Sequence, residues 1–269
     1  MPELPDVEVF TQYFKSTVLQ KAVSQVVIFD HRVLADTTTE ELHIALQGNR
    51  FVQAQRHGKY LLAQLYSGDW LVFHFGMTGF IKYFKSIYED TSHDSLRFDF
   101  EDQSYLAYDS TRKLGEIKMV KDVKTWRKEQ ELGPDPLDPD MTRERFVELL
   151  SARRGAIKSQ LMNQKVLAGL GNIYADEILF QAKIHPQSQI KNLSSKDLED
   201  IYQVMHSVLD TAIEHGADPE GLPKNWLMQR RYPGALCPVC SQELERVSVA
   251  GRRGYVCPSC QTLPGRGMS

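Results

Sequence analysis

Two groups of residues in this chain have types and spacings that suit chemistry. The first is the opening run Met1-Pro2-Glu3-Leu4-Pro5-Asp6. Pro2 is small enough at Cα that a cytosolic aminopeptidase is expected to remove Met1 and leave a free secondary amine. An α-amino group with a pKa near 8 is about a tenth unprotonated at pH 7. A lysine is well under a thousandth unprotonated, so the terminal nitrogen leads by roughly two hundred-fold in free base. A secondary amine condenses with an aldehyde carbon to an iminium that has no N–H to lose. The retained positive charge is an electron sink for breaking bonds at neighbouring carbons, and Glu3 is placed to deliver or take the accompanying protons. The same residues also suit a plain helix start, with Pro2 opening the turn and Glu3 facing the helix dipole. Taken alone, they leave both readings open.

The second group uses every cysteine of the chain, Cys237-Pro238-Val239-Cys240 and Cys257-Pro258-Ser259-Cys260, with sixteen residues between the pairs. Each pair can place two thiolates on one ion, which completes a closed tetrahedral Zn²⁺ site. Disulfides are the rival reading, disfavoured in a chain with no visible secretion signal. Four thiolates leave no open coordination position, so one structural zinc is expected. It would hold the ribbon between Cys240 and Cys257, whose basic stretch is Arg252-Arg253.

The elements that must carry these groups follow from composition and periodicity. At 269 residues, 42% hydrophobic and 25% charged, the chain fits one large globular domain or two ordinary ones. No apolar run approaches a membrane span and no signal peptide is visible, so a cytoplasmic location is the default expectation. The net charge of −3 excludes a protein coated in basic surface. Residues 221–269 nevertheless carry seven Lys/Arg against two Glu, a balance of +5 that leaves −8 for the first 220 residues. Four thiolates on one zinc would reduce the tail to +3, still enough for a local basic face.

Val7, Phe10, Phe14 and Val18 recur at helical spacing after Pro5. From Ala22 to Val120 the pattern predicts short strands, among them Arg50–His57, Lys59–Tyr66, Trp70–Phe75, Ser95–Glu101 and Ser104–Asp109. One helix interrupts them, opened by a Thr38/Glu41 capping box and stopped at Gly48. The run Glu131 to Pro139, with prolines at 134, 136 and 139, reads as a linker. Helices are expected from Thr142, over Gly155–Asn163, from Asn172, and from a Ser194 or Ser195 cap through Ala212. The glycine-containing turn Leu167-Ala168-Gly169-Leu170-Gly171-Asn172 can present N–H groups to a phosphate, or can simply join two helices. The fold class expected is α+β in two domains. The boundaries are 1–130 for an N-terminal β-sandwich with a leading helix, 131–141 for the linker, 142–230 for a helical domain and 231–269 for the four-cysteine ribbon.

Six stretches agree in kind and order with one family. They are Pro2-Glu3-Leu4-Pro5, His57-Gly58-Lys59-Tyr60-Leu61, His74-Phe75-Gly76-Met77-Thr78-Gly79, Leu132-Gly133-Pro134-Asp135-Pro136-Leu137, Gly169 through Glu177, and the cysteine ribbon. The chain resembles the formamidopyrimidine-DNA glycosylase / endonuclease VIII family over nearly its whole length, and its opening is closer to the formamidopyrimidine branch. The resemblance implies a bifunctional glycosylase and AP lyase acting on oxidised bases in double-stranded DNA, as a monomer with no membrane partner. It makes Pro2 the nucleophile, Glu3 the acid that protonates the sugar oxygen, and Lys59 a phosphate-holding residue near the lesion. It makes Asn172, at a helix–two-turn–helix junction, and Arg252, on the zinc ribbon, further phosphate contacts. Met77 matches the wedge that fills the emptied stack, Arg112 the arginine facing the orphaned base, and Lys158 another lysine near the lesion. Leu114 stands where that branch usually has phenylalanine.

The chain also departs from the pattern. Ser110-Thr111 replaces an Asp-Pro before the arginine, and Arg253, Gly254 and Val256 replace small, hydroxylated and aromatic ribbon residues. The 215–222 stretch lacks the Gly-Gly-Thr-Thr-Leu run of the loop that covers oxidised guanine. A zinc-containing binder of abasic or damaged DNA with little base excision is therefore the alternative. An RNA- or protein-binding module on the same scaffold is a third reading.

Overall fold

The computed structural model describes residues 1–86, 94–261 and 263. It divides into two compact units, Met1–Glu131 and Leu132–Ser269. Residues 262 and 264–269 of the expected ribbon range lie outside the described residues.

The first unit opens with α1 (Leu4–Thr17), capped by Glu3. The Glu3 N–H donates to the Asp6 carboxylate at 2.8 Å, and the Glu3 side chain accepts from the Asp6 N–H. This reciprocal box satisfies N–H groups that have no intrahelical partner. Pro5 suits the same turn because its missing N–H would be an orphan there anyway. Leu4, Val7, Phe14 and Val18 then bury one side of the helix completely.

The rest of the unit runs β1 (Val23–Ile28), α2 (Thr39–Leu46), β2 (Phe51–His57), β3 (Tyr60–Leu65), β4 (Trp70–His74), β5 (Gly79–Phe84), β6 (Asp94–Phe100), β7 (Tyr105–Ser110), β8 (Glu116–Val120) and α3 (Val123–Glu129). The strands form two four-stranded antiparallel sheets, in the orders β2-β3-β4-β8 and β1-β6-β7-β5. Their inner faces meet through aromatic rings. Phe98 of β6 lies edge-on to Phe51 of β2, with centroids 5.7 Å apart, and 6.1 Å from Phe73 of β4. This is the expected sandwich. Strands β1, β5 and β8, which the pattern does not single out, are all sheet edges. An edge strand is wetter, and β1 and β8 each keep only part of their length buried, so the apolar alternation fades there.

The second unit begins with the proline-rich segment. Gly133 donates its N–H to Gln164 O at 2.8 Å, Pro134 O accepts from Ala168 N at 3.0 Å, and Asp135 is buried. Within the expected linker 131–141, residues 133 and 134 are therefore packed against the double turn, whereas 138–140 are exposed; a Cβ on Gly133 would overlap the backbone of Val166 and Leu167. Then follow α4 (Arg143–Ser151), α5 (Ile157–Leu161), α6 (Asn172–Gln181) and α7 (Ser195–Glu214), with the hairpin β9 (Glu245–Val249) and β10 (Arg252–Val256) after them. Ser194 caps α7 through a reciprocal box with Asp197, and Leu198, Ile201, Met205, Val208, Leu209 and Ala212 form its buried face. The β9–β10 turn places Ala250 and Gly251 at φ +49° and +73°, both in the left-handed region that a two-residue hairpin turn uses.

Phe98 links both sheets, so Phe98→Ala should destabilise the first unit by about 3–5 kcal/mol. Chemical denaturation followed through that unit checks this, with metal content in the second unit expected unchanged.

Candidate functional site

Pro2 is half-buried at the start of α1, and Glu3 beside it is 3% exposed. Burial pushes the Asp6 carboxyl up from 3.8 to about 6. The hydrogen bond from Glu3 N–H works against that shift, and the negative charge of Glu3 adds to it. Two carboxyl groups thus share the N-terminal turn of one helix, next to the residue whose nitrogen the sequence marks as a nucleophile. Asp6 escaped the sequence reading, although Glu3 and Asp6 stand at capping-box spacing.

Lys59, expected to open the strand Lys59–Tyr66, instead occupies a tight turn. Gly58, at φ +56°, and Lys59 join β2 to β3, closed by the His57–Tyr60 pair. Lys59 is 7% exposed. Arg56 fixes this turn to α1: its Nε donates to Glu8 Oε2 at 2.9 Å and its Nη1 to Gly58 O at 3.1 Å. Burial lowers the pKa of His74, Glu116 opposes that shift, and the charge of Lys59 reinforces it. The ammonium therefore has a near-neutral imidazole, not a second cation, in its surroundings.

Met77, Arg112 and Leu114 come together on two adjoining loops, and all three side chains are exposed. The loops touch backbone to backbone at Gly76, where a Cβ would overlap the Leu114 carbonyl. The Arg112 N–H donates to Thr78 Oγ1 at 3.1 Å. Behind them the buried Tyr108 donates its hydroxyl to His74 O at 2.9 Å, over a Gly115 that leaves it room. Sequence reasoning found the three exposed residues and missed Thr78 and Tyr108, which hold them.

In the second unit, the double turn between α5 and α6 is organised by one amide. Gln164 Nε2 donates to Met162 O and Leu170 O at 2.9 and 2.7 Å, and its Oε1 accepts from Gly169 N–H at 2.9 Å. Asn172, the first residue of α6, donates its Nδ2 to Arg253 O at 2.8 Å. The expected phosphate-binding Asn172 and the ribbon arginines are thus neighbours, with Arg252 and Arg253 exposed. Lys158 departs from expectation. It is fully buried, with Nζ 2.6 Å from Asp176 Oδ1, and presents no surface to nucleic acid.

The four cysteine sulfurs lie within 4.8 Å of one another, with Cys237–Cys260 at 3.9 Å and Cys240–Cys257 at 3.4 Å. Zinc–sulfur bonds of about 2.3 Å place tetrahedral sulfurs roughly 3.8 Å apart, so the arrangement fits one Zn²⁺. Val239 N–H points at Cys237 Sγ and Cys260 N–H at Cys257 Sγ, both at 3.4 Å, which favours thiolates. The knuckles rest on Phe180 and Leu227. Gln261 ties the ribbon to the helical part by donating Nε2 to Ile184 O at 2.9 Å.

Known proteins match this layout end to end. Residues 1–117 match the family described as the formamidopyrimidine-DNA glycosylase N-terminal domain, and 132–221 the formamidopyrimidine-DNA glycosylase H2TH domain. Residues 234–263 match a zinc finger found in FPG and IleRS. Formamidopyrimidine-DNA glycosylase of Desulforamulus reducens is 32% identical over 274 residues, covering 97% of this chain and 99% of the relative. That of Mycoplasma pneumoniae is 33% identical over 276 residues, with the same coverage. Among solved structures, the Lactococcus lactis enzyme bound non-covalently to DNA with an AP site superposes at a TM-score of 0.86 and 28% identity. The match covers 96% of this chain and 99% of that one. The same enzyme with a Fapy-dG containing DNA gives 0.86 and 29%, again with 96% and 99% covered.

Because burial raises the Asp6 pKa, the folded chain holds that proton more tightly than the unfolded chain. Its contribution to stability is complete below pH 4 and is lost as pH rises through about 6. Asp6→Asn should therefore gain on the parent between pH 4 and 6.5, by at most roughly 3 kcal/mol, as read from paired thermal or denaturant melts. Cys257→Ser should lose its zinc, measured by metal analysis, while the first unit unfolds at an unchanged denaturant midpoint.

Proposed function

This chain belongs to the formamidopyrimidine-DNA glycosylase family, and on that premise we propose that it excises damaged bases from double-stranded DNA through a covalent bond to Pro2. It is a DNA glycosylase with a zinc-finger module, and the finer assignments below rest on its own residues. With Met1 removed, the Pro2 nitrogen attacks C1′ of the damaged nucleotide. The C1′–N glycosidic bond breaks, and its electron pair leaves with the base, which takes up a proton. Glu3 protonates the ring oxygen as the sugar opens, and the nitrogen lone pair completes a C1′=N⁺ iminium. That cation acidifies C2′. Loss of the C2′ proton expels the 3′ phosphate, and a second elimination expels the 5′ phosphate, so the strand is cut on both sides of the sugar.

The observation that carries this reading is the placement of Glu3. A carboxyl 3% exposed, fixed by the capping box of α1, adjoins Pro2 in the chain. A purely structural helix cap has no need of a buried acid beside a terminal nitrogen. Lys59, in its turn, supplies a phosphate contact. Met77, Arg112 and Leu114 fill the space left by the extruded nucleotide and face its former partner. Asn172 and Arg252 hold a phosphate from the second unit. Cys237, Cys240, Cys257 and Cys260 hold the zinc, which supplies no catalytic chemistry and keeps the ribbon folded. Among the described residues no helix is long and apolar enough to cross a membrane, and the cytoplasm is the proposed place of action.

One observation favours a second reading, a damaged-DNA binder with little excision. The 215–222 stretch closes on itself, Gly216 N–H bonding Ile213 O at 2.9 Å and Gly221 N–H bonding Asp218 O at 3.0 Å. Gln229 Nε2 pins it by donating to Pro219 O and Leu222 O at 2.9 and 3.0 Å. A stretch tied down in this way does not extend over a base.

Borohydride reduction with a duplex carrying an abasic site separates the two. A covalent adduct is expected from the protein lacking Met1, and its absence would leave the binder. Pro2→Gly should lose most base excision, and Glu3→Gln should lower it by about 10²–10⁴-fold while abasic-site affinity stays within about tenfold.

A further inference from the structure

Beneath the zinc hairpin lies a buried charge cluster that the proposed reaction does not use. Asp176 of α6 is 1% exposed, with Lys158 on one carboxylate oxygen at 2.6 Å and Arg231 on the other. The guanidinium of Arg231 also lies over the ring of Tyr255 in β10, 6.0 Å from its centroid. Gly254, the residue before it, faces the cluster directly: a Cβ there would overlap Lys158 Nζ and both Asp176 oxygens. Next along the strand, Arg253 gives its carbonyl to Asn172. Three consecutive residues of β10 are thus each held by a different group.

The grip has a direction. Side chains of a strand alternate, so Arg252 shares a face with Gly254, the face turned toward α6. Fixing residues 253–255 fixes the height of Arg252 over the first turn of α6, where Asn172 stands. We infer that Arg231, acting through Asp176 and Tyr255, is a positioning residue for Arg252, setting it to meet the DNA phosphate held together with Asn172. The bare α-carbon of Gly254 is what lets the strand sit this low. This role rests on the functional reading above.

A double-mutant cycle tests it, with Arg231→Gln and Arg252→Gln made singly and together in the full chain. Affinity for a duplex carrying a stable abasic analogue is measured across a range of salt, and zinc content is measured alongside. We expect Arg231→Gln to weaken binding about tenfold with zinc retained, and to reduce the slope of log affinity against log salt by about one, the signature of one lost phosphate contact. In the Arg252→Gln background the same substitution should cost almost nothing further. Arg231→Lys, which keeps the charge, should recover part of the loss. Unchanged binding by Arg231→Gln, an equal loss with and without Arg252, or a loss that accompanies zinc release would each overturn the inference. A parent protein that fails to bind the abasic duplex would sink the functional reading, and the inference with it.

Discussion

The reciprocal capping of Glu3 and Asp6 is the constraint on which the chemistry proposed for the first unit depends. A helix must begin somewhere, and its first N–H groups must be satisfied. Here the same two carboxyl groups that satisfy them are the acids closest in sequence to Pro2. The position of the proposed acid is therefore set by the helix, and α1 is in turn set by Phe14 and Val18 in the core and by the Arg56–Glu8 pair. The price is a carboxyl with little access to water, and the raised Asp6 pKa records it. A flexible chain end would leave the nitrogen and the acid free to drift apart. Anchored in this way, both stand on a helix whose other side is welded to the β-sandwich.

The same economy recurs at the exposed loops. The roles proposed for Met77, Arg112 and Leu114 require exposure, yet exposed side chains on long loops are poorly placed tools. Their loops are short, and they are locked by the Gly76–Leu114 approach, the Thr78–Arg112 hydrogen bond and the Tyr108–His74 strut. The rigidity is built from backbone contacts and two hydroxyls, those of Thr78 and the buried Tyr108, which leaves the three exposed side chains free of it. In the second unit the zinc ribbon is placed with comparable economy, through a small apolar seam at Phe180 and Leu227 and a handful of polar ties.

What could be read in advance divides along a physical line. Pro2, Glu3 and the four cysteines are legible because their chemistry is local: a terminal residue, its neighbour, and two knuckles of fixed spacing. Caps such as Thr38 and Ser194 are legible for the same reason. The interior strands β3, β4, β6 and β7, and the edge strand β2, announce themselves through dense apolar residues, whereas the other edges β1, β5 and β8 do not. Lys158 shows the opposite limit. Its match to the family is a statement about sequence, and only the fold reveals Asp176 waiting eighteen positions on to bury its charge. Arg231 and Gly254 give no signal at all in isolation, since each acquires meaning from residues far away in the chain. The proline-rich 131–141 segment misleads because prolines report only what the backbone cannot do; residues 133 and 134 pack through backbone hydrogen bonds onto a double turn that one side-chain amide organises.

That amide has an implication for which sequences can occupy this fold. Gln164 spends both hydrogens on carbonyl oxygens and its oxygen on an N–H, so it is oriented without ambiguity. A glutamate of identical shape would aim a second oxygen at two others and repel them. Asparagine would fall one carbon short. Deamidation, the slow hydrolysis that ages proteins in storage and in old cells, would thus unpick the bend between α5 and α6 by exchanging one nitrogen for oxygen, with no bulk added and no bond of the backbone cut.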